Sequence, residues 1–183
     1  MGGIVLLVAL VLVHAWNRPP RVPAAPGHQE SQRAMDVGRL VFPVPAVSAT
    51  ALSDSFEDAR GRRSHLAIDI LAPRGSPVVA VDDGTLARLS ASLTGGIFLY
   101  LLDDADRYCF FYAHLEGYAE GLADGQRVRR GEVIGYVGTT GNAPPNTPHL
   151  HFAIQEMTVP KECWSGHPLN PYPLFADRTR GRP

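Results

Sequence analysis

The chain has 183 residues, of which 45% are hydrophobic, and this suffices for one folded domain with additional length at its ends. The formal net charge is −1, and no dense basic run occurs before the C-terminal segment 178–183. The electrostatic pattern of a nucleic-acid-binding protein is therefore missing, and we expect no nucleic-acid partner.

An apolar leader opens the sequence. Ile4 to Val13 is an unbroken apolar run, shorter than the roughly 20 residues that cross a bilayer but suited to the core of a secretory signal. The alternative is an uncleaved membrane anchor formed by residues 4–16, because Arg18 and Arg21 follow the run directly. We predict that residues 1–16 are a signal peptide or a membrane anchor and that the protein is exported to the periplasm or cell envelope.

The rest of the chain divides by composition. Residues 17–38 are rich in Pro, Ala and Arg, which is typical of a flexible linker that buries little surface. We predict a single catalytic domain over residues 39–176 and a short basic tail over residues 177–183.

Within the predicted domain, strand signals recur and helical periodicity is scarce. Short apolar runs alternate with clusters of Gly, Asp and Pro, which predicts a mostly β fold built on a compact antiparallel sheet. The predicted strands are 66–71, 77–81, 85–92, 96–102, 107–113, 132–137 and 149–154.

Turn residues predict how neighbouring strands connect. Asp82-Asp83-Gly84 is a hairpin signal that would pair strand 77–81 with strand 85–92. The acidic segment 103–106 is a second predicted turn. The best helical segment is a turn or two at residues 117–122.

Two cysteines, Cys109 and Cys163, permit one disulfide, which an exported protein can hold. The sequence favours two unpaired thiols, one of them inside a strand. No Cys-x-x-Cys spacing occurs, so thiolate ligands for a metal are not indicated.

Histidines and one aspartate form a pattern that suits a metal. On a strand, His149 and His151 face the same side about 6–7 Å apart, so one can bind a metal while the other faces whatever the metal holds. A catalytic zinc site takes three protein ligands from His, Asp or Glu, plus water. With His65, Asp69 and His114 upstream, the chain has the side chains of a zinc hydrolase and one histidine to spare.

The spacing of His65 and Asp69 sets a geometric requirement. On a straight strand the two residues lie about 13 Å apart, too far to share a metal at about 2 Å from each ligand. Because the surrounding sequence is β-like and Pro73 follows, a shared metal requires His65 on a bend before the strand and Asp69 inside it.

The segment before His114 is rich in aromatic residues. Alternation places Tyr108, Phe110, Tyr112 and His114 on one face of the predicted strand. The three aromatic side chains can line a cleft or pack in the core, and alternation leaves both open.

Four motifs occur in an order that is found in one family of metallopeptidases. They are Gly61-Arg-Arg-Ser-His65-Leu-Ala-Ile-Asp69-Ile, Tyr112-Ala-His114-Leu, the glycine-rich segment 131–142, and His149-Leu-His151-Phe. On these motifs, the segment from Phe42 to Phe175 resembles the LytM/lysostaphin-type zinc metallopeptidases.

The resemblance implies a compact antiparallel β-sheet with a narrow groove over one Zn²⁺ ion per chain. It implies His65, Asp69 and His151 as zinc ligands, and His114 and His149 as the catalytic pair. The substrates of the family are stems and bridges of bacterial peptidoglycan, so the expected substrate is a peptidoglycan peptide. We expect zinc-activated water with His149 as general base, while His114 orients the water, stabilises the oxyanion, or both.

The chain departs from the family pattern just before the first histidine of the site. Some members place a Tyr there to stabilise the transition state, whereas residues 56–64 contain none. Arg62 or a histidine is the expected substitute, unless zinc and the histidines stabilise the transition state alone.

Two other functions stay open. One is a catalytically silent regulator of the same type that activates a cell-wall amidase, although such regulators usually lack metal ligands. The other is an endopeptidase that acts on a protein outside the cell wall.

Overall fold

The computed structural model describes residues 40–176. The predicted leader (1–16), linker (17–38) and basic tail (177–183) lie outside the described residues. No helix among residues 40–176 has the length and apolar character to cross a bilayer.

The described chain is built almost entirely of antiparallel strands. The strands are β1 (Ala59–Arg60), β2 (Arg63–Ser64), β3 (Ile68–Leu71), β4 (Pro77–Val79), β5 (Gly84–Ser92), β6 (Gly96–Asp103), β7 (Tyr108–Tyr118), β8 (Arg127–Val128), β9 (Val133–Val137), β10 (His149–Glu156) and β11 (His167–Leu169). Two 3₁₀ turns, Ala49–Ala51 and Cys163–Ser165, and one short helix, α1 (Pro171–Ala176), complete it. The predicted fold class, mostly β with an antiparallel sheet, is confirmed.

Nine strands form one sheet, whose main path runs β11-β10-β7-β6-β5-β8. Strand β3 pairs with β10 beside β11, and β9 pairs with both β4 and β7. Strand β10 is therefore flanked by β7 on one side and β3 on the other. The predicted site residues His65, Asp69, His114, His149 and His151 lie on these three neighbouring strands or directly before them.

One face of the sheet packs into a continuous hydrophobic core. Inward-facing residues of β3, β6, β7 and β10 alternate with outward-facing ones, as half-buried strands require. The helix α1 covers this face with Phe175, which is fully buried against Phe152. The largest fully buried side chains are Tyr112, Phe110, Phe152, Phe175, Ile68, Leu86, Leu99, Leu101, Leu115, Ile134, Leu150 and Ile154.

The aromatic residues of β7 belong to this core and not to a cleft. Tyr108, Phe110 and Tyr112 are all buried in it, and the Tyr112 hydroxyl accepts a hydrogen bond from the Val81 amide at 2.9 Å. Of the two placements that alternation left open, the structure has core packing.

The predicted hairpin between strands 77–81 and 85–92 is wrong. Strand β4 pairs with β9, while β5 pairs with β6 and β8. The Asp82-Asp83 segment serves a different turn, because the Asp83 carboxylate accepts a hydrogen bond from the Arg130 amide at 2.8 Å. The chain bends at residues 81–83, but this segment contacts Arg130, 47 residues further along, and does not join two paired strands.

The helix predicted at 117–122 is also wrong. Gly117 and Tyr118 are the last residues of β7, and a turn follows at residues 120–121. The Tyr118 hydroxyl donates hydrogen bonds to the Ser90 and Phe98 carbonyl oxygens at 2.7 and 2.9 Å, which holds the end of β7 against β5 and β6.

The cysteines are paired, which overturns the expectation of two free thiols. Cys109 on β7 is bonded to Cys163 in the second 3₁₀ turn, with Cα atoms 5.4 Å apart. The two residues are separated by 54 positions, so no local pattern could indicate that the fold brings them together.

Candidate metal centre

His65 lies on a bend, as a shared site with Asp69 requires. It follows β2 directly, and Leu66 after it adopts a left-handed φ of 56° before β3 begins at Ile68. This reversal places His65 Nε2 3.1 Å from Asp69 Oδ1. The His65 side chain is 4% exposed, so it faces the inside of the site and not solvent.

Asp69 and His151 are brought together by strand register. They are direct cross-strand partners of β3 and β10, a position that puts both side chains on one face of the sheet. His151 Nδ1 lies 3.1 Å from Asp69 Oδ1 and 3.0 Å from His65 Nε2. Three atoms from two distant segments of the chain therefore converge within about hydrogen-bond distance of one another.

This convergence has the dimensions of a metal site. In a tetrahedral zinc site with bonds of about 2.0–2.1 Å, ligand atoms lie about 3.3–3.4 Å from one another. The three observed separations of 3.0–3.1 Å are close to that spacing. Within residues 40–176, this is the one group of three His, Cys, Asp or Glu side chains placed to hold a metal ion.

The Asp69 carboxyl is held in its charged form. Burial by itself raises its pKa, but the neighbouring His151 and His65 imidazoles outweigh burial and hold the pKa well below its usual range. Burial lowers the pKa of the His151 imidazole, although its contact with Asp69 acts in the opposite direction. A charged carboxylate beside neutral imidazoles is the protonation state in which these groups bind a metal.

A backbone carbonyl group fixes the tautomer of His65. Its Nδ1 lies 3.0 Å from the Ser55 carbonyl oxygen, and because that oxygen can only accept, Nδ1 carries the hydrogen. The lone pair of the neutral ring is then on Nε2, the atom that faces Asp69 and His151. Such a second contact orients a histidine ligand and increases its basicity.

His149 and His114 are held in the same way. His149 Nδ1–H donates to the Thr147 carbonyl oxygen, and His114 Nδ1–H donates to that of Thr140, each at 2.8 Å. His149 Nε2 lies 3.9 Å from Asp69 Oδ1, and the His114 ring is centred 4.9 Å from that of His149 and 5.7 Å from that of His151. Both rings therefore adjoin the three converging atoms without belonging to them.

The alternation predicted for β7 does not extend to His114. His114 adopts a left-handed φ of 60°, and the pairing of β6 with β7 shifts register between Ile97 and Leu99. This bulge turns His114 away from the core face of Phe110 and Tyr112, so that it lines the same groove as His149 and His151. The prediction of a common face was wrong, because it assumed a regular strand.

These residues lie in a groove of about 750 Å³. An aromatic wall of Phe98, Tyr100 and Phe111 forms one side, with ring centroids 4.8–5.6 Å apart. Phe111 also contacts His151 edge to face at 5.9 Å. The His65, Asp69 and His151 side chains line the same groove as this aromatic wall.

Sequence reasoning missed Arg60. Its Nη2 donates to Asp69 Oδ2 at 2.6 Å, so the carboxylate oxygen outside the converging group is also occupied. Arg62, the predicted substitute for the absent Tyr, does not line the groove, whereas Arg60 and Arg63 do. The hairpin β1–β2 is too short to give a periodic signal, so alternation could not distinguish the three arginines.

Comparison with known proteins identifies the family. The sequence profile of peptidase family M23 matches residues 63–171, more than half of the chain. An L-Ala–D-Glu endopeptidase of Bacillus subtilis is 36% identical over 147 residues, 76% of this chain and 44% of that protein. A DD-carboxypeptidase/endopeptidase of Neisseria meningitidis is 37% identical over 109 residues, 60% of this chain and 22% of that protein.

The fold agrees with this assignment. The catalytic domain of lysostaphin from Staphylococcus simulans superimposes with a TM-score of 0.52 and 26% identity, covering 61% of this chain and 79% of that domain. The chain belongs to peptidase family M23, which confirms the predicted LytM/lysostaphin-type family. It spans less than half the length of the Bacillus subtilis and Neisseria meningitidis relatives.

Proposed function

We propose that the chain is a zinc endopeptidase that hydrolyses peptide bonds in the cross-links or stems of peptidoglycan. The observation that carries this proposal is the convergence of His65, Asp69 and His151 within 3.1 Å in the lining of a groove, in a chain of a peptidase family. We assign these three residues as metal ligands, and His149 and His114 as the catalytic pair.

The donor set favours zinc over the hard cations. Two imidazole nitrogens and one carboxylate oxygen are ligands that zinc accepts, whereas Ca²⁺ and Mg²⁺ prefer oxygen ligands. Three protein ligands leave one position open, which distinguishes catalytic from structural zinc sites. When bound, zinc supplies Lewis-acid chemistry: it polarises the scissile carbonyl and acidifies a water molecule.

The tautomers define what the catalytic histidines can do. Because Nδ1–H of both His149 and His114 is committed to a backbone carbonyl, the neutral rings can only accept at Nε2. His149 is assigned as general base, since its Nε2 is only 3.9 Å from Asp69 Oδ1. A proton taken up at Nε2 makes this ring a donor, in position to protonate the leaving amine.

His114 is assigned the role of orienting the attacking water. Burial lowers the pKa of its imidazole, so the neutral form, an acceptor at Nε2, predominates at neutral pH. Stabilising an oxyanion requires a donor, and His114 becomes one at Nε2 only when protonated. The sequence left open orientation of the water, stabilisation of the oxyanion, or both, and the neutral tautomer favours orientation.

The relatives support the choice of substrate. Their names describe endopeptidases and a carboxypeptidase, and that of the Bacillus subtilis protein specifies an L-Ala–D-Glu bond. A peptide with this bond is therefore the first substrate to try. The Cys109–Cys163 disulfide supports export to an oxidising compartment such as the periplasm or cell envelope, where disulfides persist.

The experiment is digestion of purified peptidoglycan sacculi by the zinc-loaded protein. We expect soluble peptides from the wild type, and a rate lowered about 10²- to 10⁴-fold by His149→Ala, the effect of losing a general base. The exposed His167 provides the matched control, because it lies outside the groove and His167→Ala should keep full activity.

Two outcomes would argue against the proposal. Equal rates for His149→Ala and wild type would remove the assigned base. Binding of sacculi without hydrolysis, together with stimulation of a separate amidase, would instead favour the silent regulator.

A further inference from the structure

The hairpin β1–β2 places two arginines side by side at the groove. Arg60 and Arg63 are direct cross-strand partners, so their side chains leave the hairpin on the same face. Both line the groove. Like charges directly opposite each other destabilise an antiparallel pair, so this arrangement calls for an anion between them.

The structure supplies a carboxylate to only one of the two arginines. Arg60 donates one hydrogen bond from Nη2 to Asp69 Oδ2, whereas a guanidinium has five N–H donors. Arg63 is exposed and forms no ion pair with a carboxylate of residues 40–176. Most of the hydrogen-bonding capacity of this pair is therefore left for solvent or for a ligand in the groove.

Apart from Asp69, the charged residues that line the groove are all positive. Among the residues that line it, only Arg60, Arg63 and Asp69 carry a formal charge when the histidines are neutral. Asp69 belongs to the proposed metal site and is neutralised there. A ligand that enters the groove thus meets two guanidinium groups. Apart from Asp69, the lining carries no negative charge.

Arg60 of this pair also lies beside the proposed metal site. Arg60 contacts one oxygen of the carboxylate whose other oxygen lies 3.1 Å from both His65 and His151. The distance from the guanidinium to that centre is therefore within the span of about two extended residues, roughly 7 Å. A group held by the arginines would belong to a residue adjacent to the scissile bond.

We propose that Arg60 and Arg63 form a receptor for a carboxylate carried by the substrate next to the scissile bond. The chain then prefers acidic peptides over neutral ones, such as oligoglycine. Guanidinium groups bind carboxylates through paired, charge-assisted hydrogen bonds, which are stronger than neutral ones. This inference rests on the proposed peptidase function and adds a substrate class to it.

The test compares two peptides that differ in one charge. One is a synthetic peptide with an L-Ala–D-Glu bond and a free glutamate carboxylate, and the other has that carboxylate converted to a primary amide. Binding is measured by titration calorimetry on the zinc-loaded His149→Ala protein, and cleavage is measured on the zinc-loaded protein with His149 intact.

We expect the His149→Ala protein to bind the carboxylate peptide about tenfold or more tightly than the amide. Adding Arg63→Gln should remove this preference and leave binding of the amide unchanged. Arg62→Gln is the matched control, since Arg62 is in the same hairpin but does not line the groove. Arg63→Gln should not lower the melting temperature, because it removes a like-charge pair.

The possible outcomes distinguish a failure of the carboxylate receptor from a failure of the proposed peptidase function. Equal binding of the two peptides, or equal effects of Arg63→Gln and Arg62→Gln, would overturn the carboxylate receptor even if both peptides are cut. Preferential binding of the carboxylate peptide without cleavage would support the receptor while counting against hydrolysis at this bond.

Discussion

At the scale of single residues, the imidazoles of His114 and His151 link the stability of the metal-free protein to pH. Burial lowers the pKa of His151 and of His114 below the ordinary value of about 6.5. As the pH falls from 7 towards 5, the unfolded chain takes up these protons before the folded one does. The free energy of unfolding should therefore decrease as the pH falls through this range.

Urea unfolding of the zinc-free protein at several pH values measures this slope. His114→Gln removes one of the two imidazoles and should flatten this slope. A free energy of unfolding that stays constant or rises between pH 7 and 5 would contradict the assignment of neutral imidazoles with a lowered pKa.

The members of the converging group were predictable from the sequence, but not all of their contacts were. His65, Asp69 and His151 converge because of one left-handed residue, Leu66, and one register match between two strands. The need for a bend followed from the β-like sequence around Asp69. The contact from Arg60 did not, because a guanidinium at the end of a long side chain can reach several places from one backbone position.

At the scale of elements, strand positions were predictable and strand partners were less so. Alternating apolar residues located the central strands to within a few residues, because a half-buried strand imposes that pattern. The strand predicted to pair with β4 was wrong. An alternating pattern indicates which face of a strand is buried but not which strand lies beside that strand. The bulge at His114 was likewise absent from the pattern, yet it brings this ring to the groove.

The bulge gives a prediction at this scale. Thr140 holds it in place: its carbonyl accepts from His114 Nδ1–H, and its hydroxyl donates to the Leu115 carbonyl at 2.7 Å. Gly96 has a left-handed φ of 62°, and a Cβ there would collide with the side chain and backbone of Thr140. Gly96→Ala should therefore lower both stability and hydrolytic rate.

Gly121→Ala is the matched control for this substitution. Gly121 has a similar φ of 78°, but a Cβ at this position would meet no heavy atom within 4 Å. The free energy of unfolding of this variant should fall only by the cost of the left-handed conformation, about 1–2 kcal/mol, and its activity should be unchanged. If thermal unfolding and peptide release show equal effects for the two variants, Thr140 does not hold the bulge.

At the scale of the whole molecule, four ordered motifs predicted the family and the fold. They did not predict the disulfide between Cys109 and Cys163. Cys109 and Cys163 pair because the chain after β10 returns to β7 at the second 3₁₀ turn, which packs against that strand. Cysteine spacing does not report such a return. The predicted catalytic domain, 39–176, remains a proposal, and the residues proposed as metal ligands come from both halves of it.

The central claim is that His65, Asp69 and His151 bind one zinc ion, and zinc affinity measures it most directly. Competition with a chromophoric chelator should give about one zinc per wild-type chain. Asp69→Ala should bind zinc at least about a hundredfold more weakly, since even partners outside the ligand set are worth about 10- to 100-fold. Asp58→Ala, at an exposed acidic residue outside the converging group, should match the wild type. Equal zinc affinity of the Asp69→Ala and Asp58→Ala proteins would contradict the metal site and the peptidase mechanism built on it.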